Sequence, residues 1–281
     1  MTDIKLVSFL DYTLEEAGRL WHKDHKKKSI AKAEKFAQFA DYSTRSIDDY
    51  KPRHIHKFLD YLTDERGLSN ETANRYCAMI IKVFKQAYKN QDIDRVPDFT
   101  WKKSDNEHRM TFFTPPQVDE IVKYFRAASR DTWMADFTLI GANTGMRLGE
   151  IRSISHNSIY QNVDGIWHVH LTQTKNGSTR EVPLNDRARY ALLNLDNLPE
   201  KYFRMWKFYR AWGAMRKDLL GGDENYVFHS LRHTFATRMA NEEKLNAFII
   251  AKLMGHRTLK TTDKYVKLVP EQAIKAVNAL N

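Results

Sequence analysis

The sequence has a single cysteine, Cys77, and it lacks internal repeats and low-complexity tracts. One cysteine excludes intramolecular disulfides and metal clusters built from several cysteines, and it fits a reducing compartment. No run of 18 apolar residues occurs, and the N-terminus lacks the cationic start and long apolar core of a signal peptide. We therefore expect a cytoplasmic protein without a membrane span.

Acidic residues are outnumbered by basic ones, with 35 Asp and Glu against 45 Lys and Arg, a net charge of +10 and a pI near 9.4. Clustered Lys and Arg side chains release counterions from phosphate backbones, so this balance favours a polyanionic partner. The alternative is a soluble protein that is basic without binding a polyanion, and charge alone does not exclude it. The 281 residues, 42% of them hydrophobic, favour two domains with cores of their own.

Helical periodicity dominates residues 1–100, which we predict to form a compact four-helix domain. A hydroxyl side chain followed three residues later by Glu forms a capping box at Thr13–Glu16, and Pro is favoured as a first helical residue. These signals predict helix starts at Thr13, Ser29, Pro52 and Ser69.

Three consecutive lysines, Lys26, Lys27 and Lys28, form a basic cluster between the first two predicted helices. Lysines of this kind contact phosphate in nucleic-acid-binding proteins. A run of like charges is equally typical of a solvated face. Both interpretations stay open, and we treat the three residues as candidate DNA contacts.

Residues 92–110 mix charge, proline and isolated aromatics and show no helical period, which predicts a linker over residues 101–110. A second domain is predicted over residues 111–281. It opens with a capping box at Thr114–Gln117 and with Pro115 at the first helical position.

The second domain has helical and strand patterns. A buried helix from Trp133 to Asn143 is interrupted at residues 144–146 and resumes through residues 147–151, with Arg147 on the first turn of the second segment. Residues 165–171 alternate as a strand, Lys175 begins a hairpin turn, and residues 179–184 form the return strand. The predicted fold class is therefore mainly α with a small antiparallel β-sheet.

Residues 185–220 are predicted to be helical and are rich in aromatic and basic residues. Aromatics that alternate with basic residues can stack on nucleic-acid bases. At helical spacing they more often form a core, and we favour the core for Tyr202, Phe203, Trp206, Phe208, Tyr209 and Trp212.

The richest cluster of chemical side chains lies near the C-terminus. His229 and Arg232 are three residues apart, so on a helix they leave from the same face. An apolar helix then ends at Gly255, directly before His256, and Tyr265 follows.

Six residues in order, each with its local motif, give the chain a resemblance to the tyrosine recombinase family, also called phage-type integrases. They are Arg147 in TGMRLGEI, Lys175 in QTKNGSTREVPL, His229 and Arg232 in HSLRHTF, and His256 and Tyr265 in LMGHRTLKTTDKY. The resemblance covers residues 111–281 as an α+β catalytic domain. The helical N-terminal region, residues 1–100, resembles the family's SAM-like core-binding domain, which implies that it binds DNA.

The chemistry of phosphodiester cleavage by a tyrosine needs these residue types. Arg147 and Arg232 can bind the nonbridging oxygens bidentately as negative charge develops, and His256 can donate a further hydrogen bond. Tyr265 needs its proton removed, because the ordinary pKa of a phenol is about 10.

The resemblance implies roles for three more residues. His229 resembles the residue that assists deprotonation of the tyrosine, and Lys175 looks like the general acid for the departing 5′ hydroxyl. Glu150 stands where the family often has an acidic residue, and we expect it to orient neighbouring basic groups. An ordinary surface ion pair is the alternative for Glu150.

The function implied is site-specific DNA recombination through a covalent 3′-phosphotyrosine, without ATP, metal or other cofactor. The partners implied are double-stranded DNA, three further copies in a homo-tetramer that exchanges C-terminal helices, and accessory DNA-bending or directionality proteins. The tail has a short apolar face for such an exchange, although it can equally pack on its own domain. A type IB topoisomerase activity and a catalytically silent DNA-binding protein are the alternatives.

Histidine spacing also permits a metal site, which we consider the weaker interpretation. His229 and His233 lie four residues apart, but position 230 is Ser where a zinc protease motif has Glu. His168 and His170 alternate on a strand without a clear third ligand. His233 is left without an assigned role. The family often has a histidine two residues beyond the nucleophile, and this chain has Lys267 there.

Overall fold

A computed structural model gives the fold of the chain. It describes residues 8–21, 23–39, 45–103, 111–128, 130–172, 179–195, 204–242, 245–256, 258–263 and 265. The chain divides into two compact units, Met1–His108 and Arg109–Asn281. Within the described ranges, no helix combines the length and the apolar composition that crossing a bilayer requires.

The N-terminal unit is helical throughout its described part. Short 3₁₀ helices occupy Ala17–Leu20 and Ile47–Asp49, and the third α-helix runs on into a π-helical turn at Tyr61–Glu65. The α-helices are α1 (Phe9–Glu15), α2 (Lys23–Gln38), α3 (Pro52–Asp60) and α4 (Asn70–Lys89).

Two of the four predicted helix starts are confirmed. Pro52 is the first residue of α3, and the hydroxyl of Ser69 caps α4 by accepting a hydrogen bond from the Thr72 amide at 3.3 Å.

The other two predicted starts are wrong. Ser8 caps α1, so Thr13 lies inside that helix and its hydroxyl donates to the Phe9 carbonyl. Helix α2 begins at Lys23 rather than at Ser29, so residues 23–28 are helical despite their charge. Lys26, Lys27 and Lys28 therefore lie within α2 rather than between two helices.

Aromatic rings form the centre of the N-terminal core. Phe9 of α1 lies against Phe36 of α2 and Phe84 of α4, with ring centroids 5.1 and 5.2 Å apart. Phe36 also contacts Phe58 of α3 at 5.3 Å. All four rings are fully buried. This cluster explains why α1 begins before Thr13: Phe9 is a core residue and needs the helix to reach it.

The second unit combines helices with a small sheet. The capping box at Thr114 and Gln117 is confirmed at its first helix, as is the interruption of the second helix at Gly145. The third helix begins at Leu148, so Arg147 is its N-cap residue with an extended backbone, and the prediction that Arg147 lies on its first turn is wrong. The helices are α5 (Pro115–Ala127), α6 (Trp133–Thr144), α7 (Leu148–Arg152), α8 (Asp186–Leu195), α9 (Met205–Leu220), α10 (Ser230–Asn241), α11 (Ala247–Met254) and α12 (Lys260–Asp263).

The sheet has three antiparallel strands in the order β1 (Ile159–Gln161), β2 (Trp167–Leu171) and β3 (Arg180–Pro183). Val169 pairs with Ile159 on one side and with Val182 on the other. The two predicted strands are confirmed as β2 and β3, and β1 was not predicted. Residues 173–178, which include Lys175, lie outside the described part. The fold class, mainly α with a small antiparallel sheet, is confirmed.

Helix α6 runs through the core of the second unit and is buried on nearly all sides. Phe208 and Trp212 of α9 pack in this core, as predicted. Trp206 and Tyr209 of the same helix are 56% and 63% exposed, so the prediction of a core position is wrong for these two. They lie on the outer face of α9. Tyr202 and Phe203 lie outside the described residues, as do most of the linker predicted over 101–110 and all of the tail after Tyr265.

Candidate active site

Arg232 ties together two turns that carry predicted site residues. Its side chain is 2% exposed on α10, and its two Nη atoms donate to the carbonyls of Gly145 and Met254, each at 2.6 Å. These carbonyls lie at the C-terminal ends of α6 and α11, where backbone acceptors lack helical partners and the helix dipole favours a cation. Arg232 thereby fixes the turn before Arg147 and the turn before His256.

Glu150 anchors Arg147 at the start of α7. One carboxylate oxygen accepts from the backbone amide of Arg147 at 2.8 Å, and the other accepts from its guanidinium at 2.9 Å. The carboxylate is 3% exposed, whereas the Arg147 side chain is 26% exposed. Glu150 is therefore a buried anchor and not a surface ion pair, and it leaves Arg147 partly open to solvent.

Arg180 of β3 is a third guanidinium that sequence reasoning missed. It donates to Glu150 at 2.9 Å, and its side chain is 10% exposed. Within the described part of the chain, its Nε and Nη1 atoms are buried without a hydrogen-bond partner. The alternation of β3 contained a signal, because it places Arg180 on the same face as the buried Val182.

The glycine that ends α11 makes room for Arg180. A Cβ on Gly255 would lie 3.0 Å from both Cδ and Cζ of Arg180 and nearer still to Nη1. Gly255 also has a φ of +64°, a conformation that glycine adopts without strain. Arg180 therefore lies between Glu150, which holds Arg147, and the turn that leads to His256.

The site carries an excess of positive charge. Burial, and after it the neighbouring charges of Arg147 and Arg180, lower the pKa of Arg232 to about 9, while Glu150 opposes this shift. Burial also lowers the pKa of Arg180. Arg147 and Arg180 both contact the Glu150 carboxylate, whereas Arg232 donates to backbone carbonyls. An anion bound here would relieve the mutual repulsion of the three guanidiniums.

His256 is connected to the segment that carries the tyrosine. Its Nδ1 atom lies 2.8 Å from the hydroxyl of Thr262, which is fully buried in α12. The Thr262 carbonyl in turn accepts from the backbone amide of Tyr265 at 2.9 Å. A short chain of polar contacts therefore runs from His256 through α12 to Tyr265.

Tyr265 is buried, with 5% of its surface exposed, and it packs with Phe235, Ile250 and Met254. Burial raises the pKa of Tyr265 to about 12, and the charge of Arg232 opposes that rise. The phenol is thus protonated at neutral pH and needs a base before it can act as a nucleophile.

His233, which had no predicted role, is hydrogen-bonded to the phenol. Its Nδ1 atom is hydrogen-bonded to the Tyr265 hydroxyl, and the two ring centroids are 5.7 Å apart. His229 is exposed at the N-terminus of α10, with its ring 5.0 Å from that of His233. The i to i+4 spacing of the two histidines was visible in the sequence, but the tyrosine next to His233 was not.

The structure thus brings together Arg147, Glu150, Arg232, His256 and Tyr265, with His229 beside them. Lys175 lies outside the described residues, although β2 and β3 are the strands that flank it. Lys26, Lys27 and Lys28 belong to the other unit, where Lys27 and Lys28 are exposed and Lys26 is partly exposed. Among the described side chains, no three His, Cys, Asp or Glu residues group as metal ligands would.

Comparison with known proteins adds family models for both units. A model of the phage integrase family matches residues 111–272, and one of the phage integrase SAM-like domain matches residues 5–102. The shufflon-specific DNA recombinase of Escherichia coli is 30% identical over 172 residues, 59% of this chain and 42% of that protein. A tyrosine recombinase of Pseudothermotoga lettingae is 22% identical over 270 residues, 89% of this chain and 90% of that protein.

Solved structures share the fold. The integrase of transposon Tn1549, solved with circular intermediate DNA, has a TM-score of 0.75 at 18% identity and covers 96% of this chain and 98% of its own. A lambda integrase dimer bound to a core site has a TM-score of 0.68 at 16% identity, over 92% of this chain and 76% of that one. Since the phage integrase model alone covers more than half of its residues, the chain belongs to the phage integrase family, the tyrosine recombinases.

Proposed function

We propose that this protein is a site-specific DNA recombinase that cleaves and rejoins DNA through a 3′-phosphotyrosine at Tyr265. The observation that carries the proposal is the position of Arg232. This buried guanidinium holds the turns before Arg147 and His256 and contributes a positive charge that acts on Tyr265. These contacts support our assignment of Tyr265 as the nucleophile, of Arg147 and Arg232 as the phosphate-binding guanidiniums and of His256 as a hydrogen-bond donor.

Arg147 and Arg232 bind the nonbridging oxygens of the scissile phosphate. Negative charge grows on these oxygens as the tyrosine attacks, and fixed guanidiniums stabilise it without reorganising. A guanidinium has five N–H donors, and the two backbone carbonyls occupy only two of those of Arg232. His256 donates a further hydrogen bond to the same phosphate.

In the cleavage step, the tyrosine oxygen forms a bond to phosphorus while the bond from phosphorus to the 5′ oxygen breaks. The 5′ oxygen leaves with a proton supplied by Lys175, and His229 assists the deprotonation of Tyr265. The phosphotyrosine keeps the energy of the broken backbone bond, so a 5′ hydroxyl of another strand reseals it. ATP, metal ions and other cofactors have no step to perform in this reaction.

Double-stranded DNA is the proposed substrate. The net charge of +10 supports a polyanionic partner, and the exposed Lys27 and Lys28 are candidate phosphate contacts. Exchange of strands between two duplexes requires four active subunits, which we propose to form a tetramer linked by their C-terminal tails. Accessory DNA-bending or directionality proteins would act on that assembly, and the protein would work in the cytoplasm, on the nucleoid.

The test is covalent trapping. Duplexes that bind the protein are first selected from a random-sequence pool. Each is then synthesised as a series of suicide substrates with a nick beside each phosphate in turn. Cleavage next to the nick releases a short fragment that diffuses away, so the covalent adduct cannot be resealed and persists. We expect an adduct that survives denaturation, with the DNA on Tyr265 by mass spectrometry. An adduct on another residue, or none on any bound duplex, would refute the proposal. Relaxation of plasmid by single subunits would instead assign a type IB topoisomerase activity.

A further inference from the structure

The tyrosine hydroxyl has a hydrogen-bonding partner for which no role has been assigned. His233 Nδ1 and Tyr265 Oη form a hydrogen bond between α10 and the segment after α12. The two rings are tilted by 37° at a centroid distance of 5.7 Å. His233 lies on the rigid helix that also carries Arg232, so it is placed by the element that organises the rest of the site.

We propose that His233 is the catalytic base of the cleavage step, accepting the phenolic proton of Tyr265 directly as the tyrosine attacks the phosphate. This proposal rests on the proposed function, because it assigns a step of that reaction to a further residue. It gives His229 a supporting place beside the base.

The proton balance of the step is simple. The Oη–H bond of Tyr265 breaks and its proton moves to the lone pair of Nδ1, while the Oη electrons form the new bond to phosphorus. The reactive tautomer of His233 therefore carries its hydrogen on Nε2. In the rejoining step the 5′ hydroxyl gives its proton to Lys175, the group that supplied it during cleavage, and attacks phosphorus. The bond from phosphorus to Oη breaks, and the imidazolium returns its proton to the phenolate.

Burial makes a base at this position necessary. The pKa of Tyr265 is raised to about 12, so at pH 7 only about one phenol in 10⁵ is ionised without assistance. The side chain is 5% exposed, which limits the access of bulk water as a proton acceptor. A base already hydrogen-bonded to the hydroxyl avoids both difficulties.

The groups that face His233 are compatible with this role. His229 lies on the same helix with its ring 5.0 Å away, edge to face. Tyr265 faces it from the segment after α12, and Arg232 is its neighbour along α10. The hydrogen bond places Nδ1 directly at the phenolic oxygen, so the imidazole is in position to take the proton without an intervening group.

The first test separates the base from the general acid. A 5′-bridging phosphorothiolate supplies a leaving group that needs no proton. On this substrate the rate of a single cleavage turnover therefore does not depend on proton transfer from Lys175. His233→Asn keeps a hydrogen-bond acceptor close to the place of Nδ1 but removes the basic nitrogen. We expect a loss of about 10²- to 10⁴-fold, the usual contribution of acid–base catalysis.

The second test is the pH profile on the same substrate. Without a base, the rate follows the ionised fraction of the phenol and rises about tenfold per pH unit below its pKa. We expect this slope for His233→Asn and a plateau above neutral pH for the wild type. The control is His170→Asn, the same substitution at a histidine of β2 whose side chain is 42% exposed, for which a plateau is expected.

Two results would overturn the proposal. A His233→Asn rate within about threefold of wild type would remove the histidine from the reaction. A slow variant with an unchanged pH profile would make it a positioning residue. Thermal unfolding and DNA affinity verify that His233→Asn is folded. If it is not, His233→Gln is tested in its place, with the cleavage rate and the pH profile judged in the same way. Tyr265→Phe shows whether only the base assignment fails or the proposed function fails too. An adduct that persists in Tyr265→Phe would refute both, whereas loss of the adduct leaves Tyr265 as the nucleophile whatever the role of His233.

Discussion

At the scale of single residues, Arg232 combines a structural and a proposed catalytic role. Its two hydrogen bonds to carbonyls join α6 to α11 through a side chain on α10. Its charge opposes the burial that raises the pKa of Tyr265. A guanidinium is suited to both roles, because it is planar and presents several donors in a fixed geometry.

We expect Arg232→Lys to fail in both roles. An ammonium group cannot reach two carbonyls with the geometry of a fork, so one buried acceptor loses its partner, at a cost of about 1–3 kcal/mol in the free energy of unfolding. Cleavage should slow by at least about 10²-fold, as when one oxyanion donor is lost. Urea unfolding and suicide-substrate cleavage measure the two effects.

The control for Arg232→Lys is Arg187→Lys. Arg187 pairs with Asp119 at 2.6 Å, but both side chains are about half exposed. An exposed pair contributes roughly 0–1 kcal/mol, so this substitution should leave stability and cleavage nearly unchanged. Equal effects of the two substitutions would contradict the role given to Arg232.

Tyr265→Phe removes one oxygen and no charge. We expect no covalent adduct, DNA affinity within about twofold of wild type, and a stability loss of about 0.5–1.5 kcal/mol for the hydrogen bond to His233. Gel shifts, denaturing gels and thermal unfolding give the three values. A large loss of DNA affinity would mean that the hydroxyl binds DNA in the ground state, contrary to its burial.

At the scale of elements, two helices end next to site residues at glycines in the left-handed conformation. Gly145 closes α6 with a φ of +63°, and Gly255 closes α11 with a φ of +64°. Both turns also lack room for a side chain, because a Cβ would meet Phe235 at 2.6 Å in the first case and Arg180 in the second. The turns that carry Arg147 and His256 are therefore specified by backbone and packing together.

Gly255→Ala tests the second turn. An alanine there adopts a left-handed conformation, which costs about 1–2 kcal/mol, and it also displaces Arg180. We expect a total loss of about 2–4 kcal/mol in unfolding free energy and slower cleavage, since the turn positions His256. Urea unfolding and suicide-substrate cleavage give the two values.

Gly221→Ala is a matched control for that substitution. Gly221 closes α9 with a φ of +62°, and a Cβ added there would meet nothing within 4 Å. It should therefore show the backbone cost of about 1–2 kcal/mol alone. Adding Arg180→Ala to Gly255→Ala should recover part of the difference, and strict additivity would show that Arg180 does not meet the new methyl group.

Local signals predicted many element boundaries. Pro52, Ser69 and Thr114 start helices because their capping and φ preferences act within a few residues. Thr13 carries the same kind of signal, yet Ser8 caps α1, because Phe9 is needed in the core. β1 was missed because it has three residues, too few for an alternating pattern to stand out.

The order of Arg147, Arg232, His256 and Tyr265 in the sequence predicted a shared site, whereas two of its contacts were beyond sequence reasoning. Arg180 is buried by Glu150 and Gly255, each far from it in the chain. The role proposed for His233 depends on its hydrogen bond to Tyr265, which forms only when Tyr265 packs against α10. Contacts of this kind depend on tertiary packing, and no local periodicity encodes them.

At the scale of the whole molecule, the net charge of +10 is divided unequally between the units. Residues 1–108 have 20 Lys and Arg against 18 Asp and Glu, a net charge of +2, whereas residues 109–281 have 25 against 17, a net charge of +8. The lysine cluster of α2 is therefore a local excess of positive charge in a nearly neutral unit. Lys26, Lys27 and Lys28 were predicted beside each other at a helix end, but they lie inside α2. Consecutive helical residues point about 100° apart, so the three ammonium groups cannot all face one DNA backbone. At most two of them can contact phosphate together.

This geometry sets the size of the salt effect that the cluster can have. Each phosphate contact contributes about 0.9 to the slope of log affinity against log salt concentration. Replacing all three lysines by Gln should therefore reduce that slope by about 1–2, and a reduction near 3 would contradict the helical geometry. The control replaces the exposed Lys82, Lys85 and Lys89 of α4 in the same unit, which changes the net charge equally. If both triple variants lower the slope by the same amount, net charge alone accounts for the effect and α2 makes no specific contact with DNA.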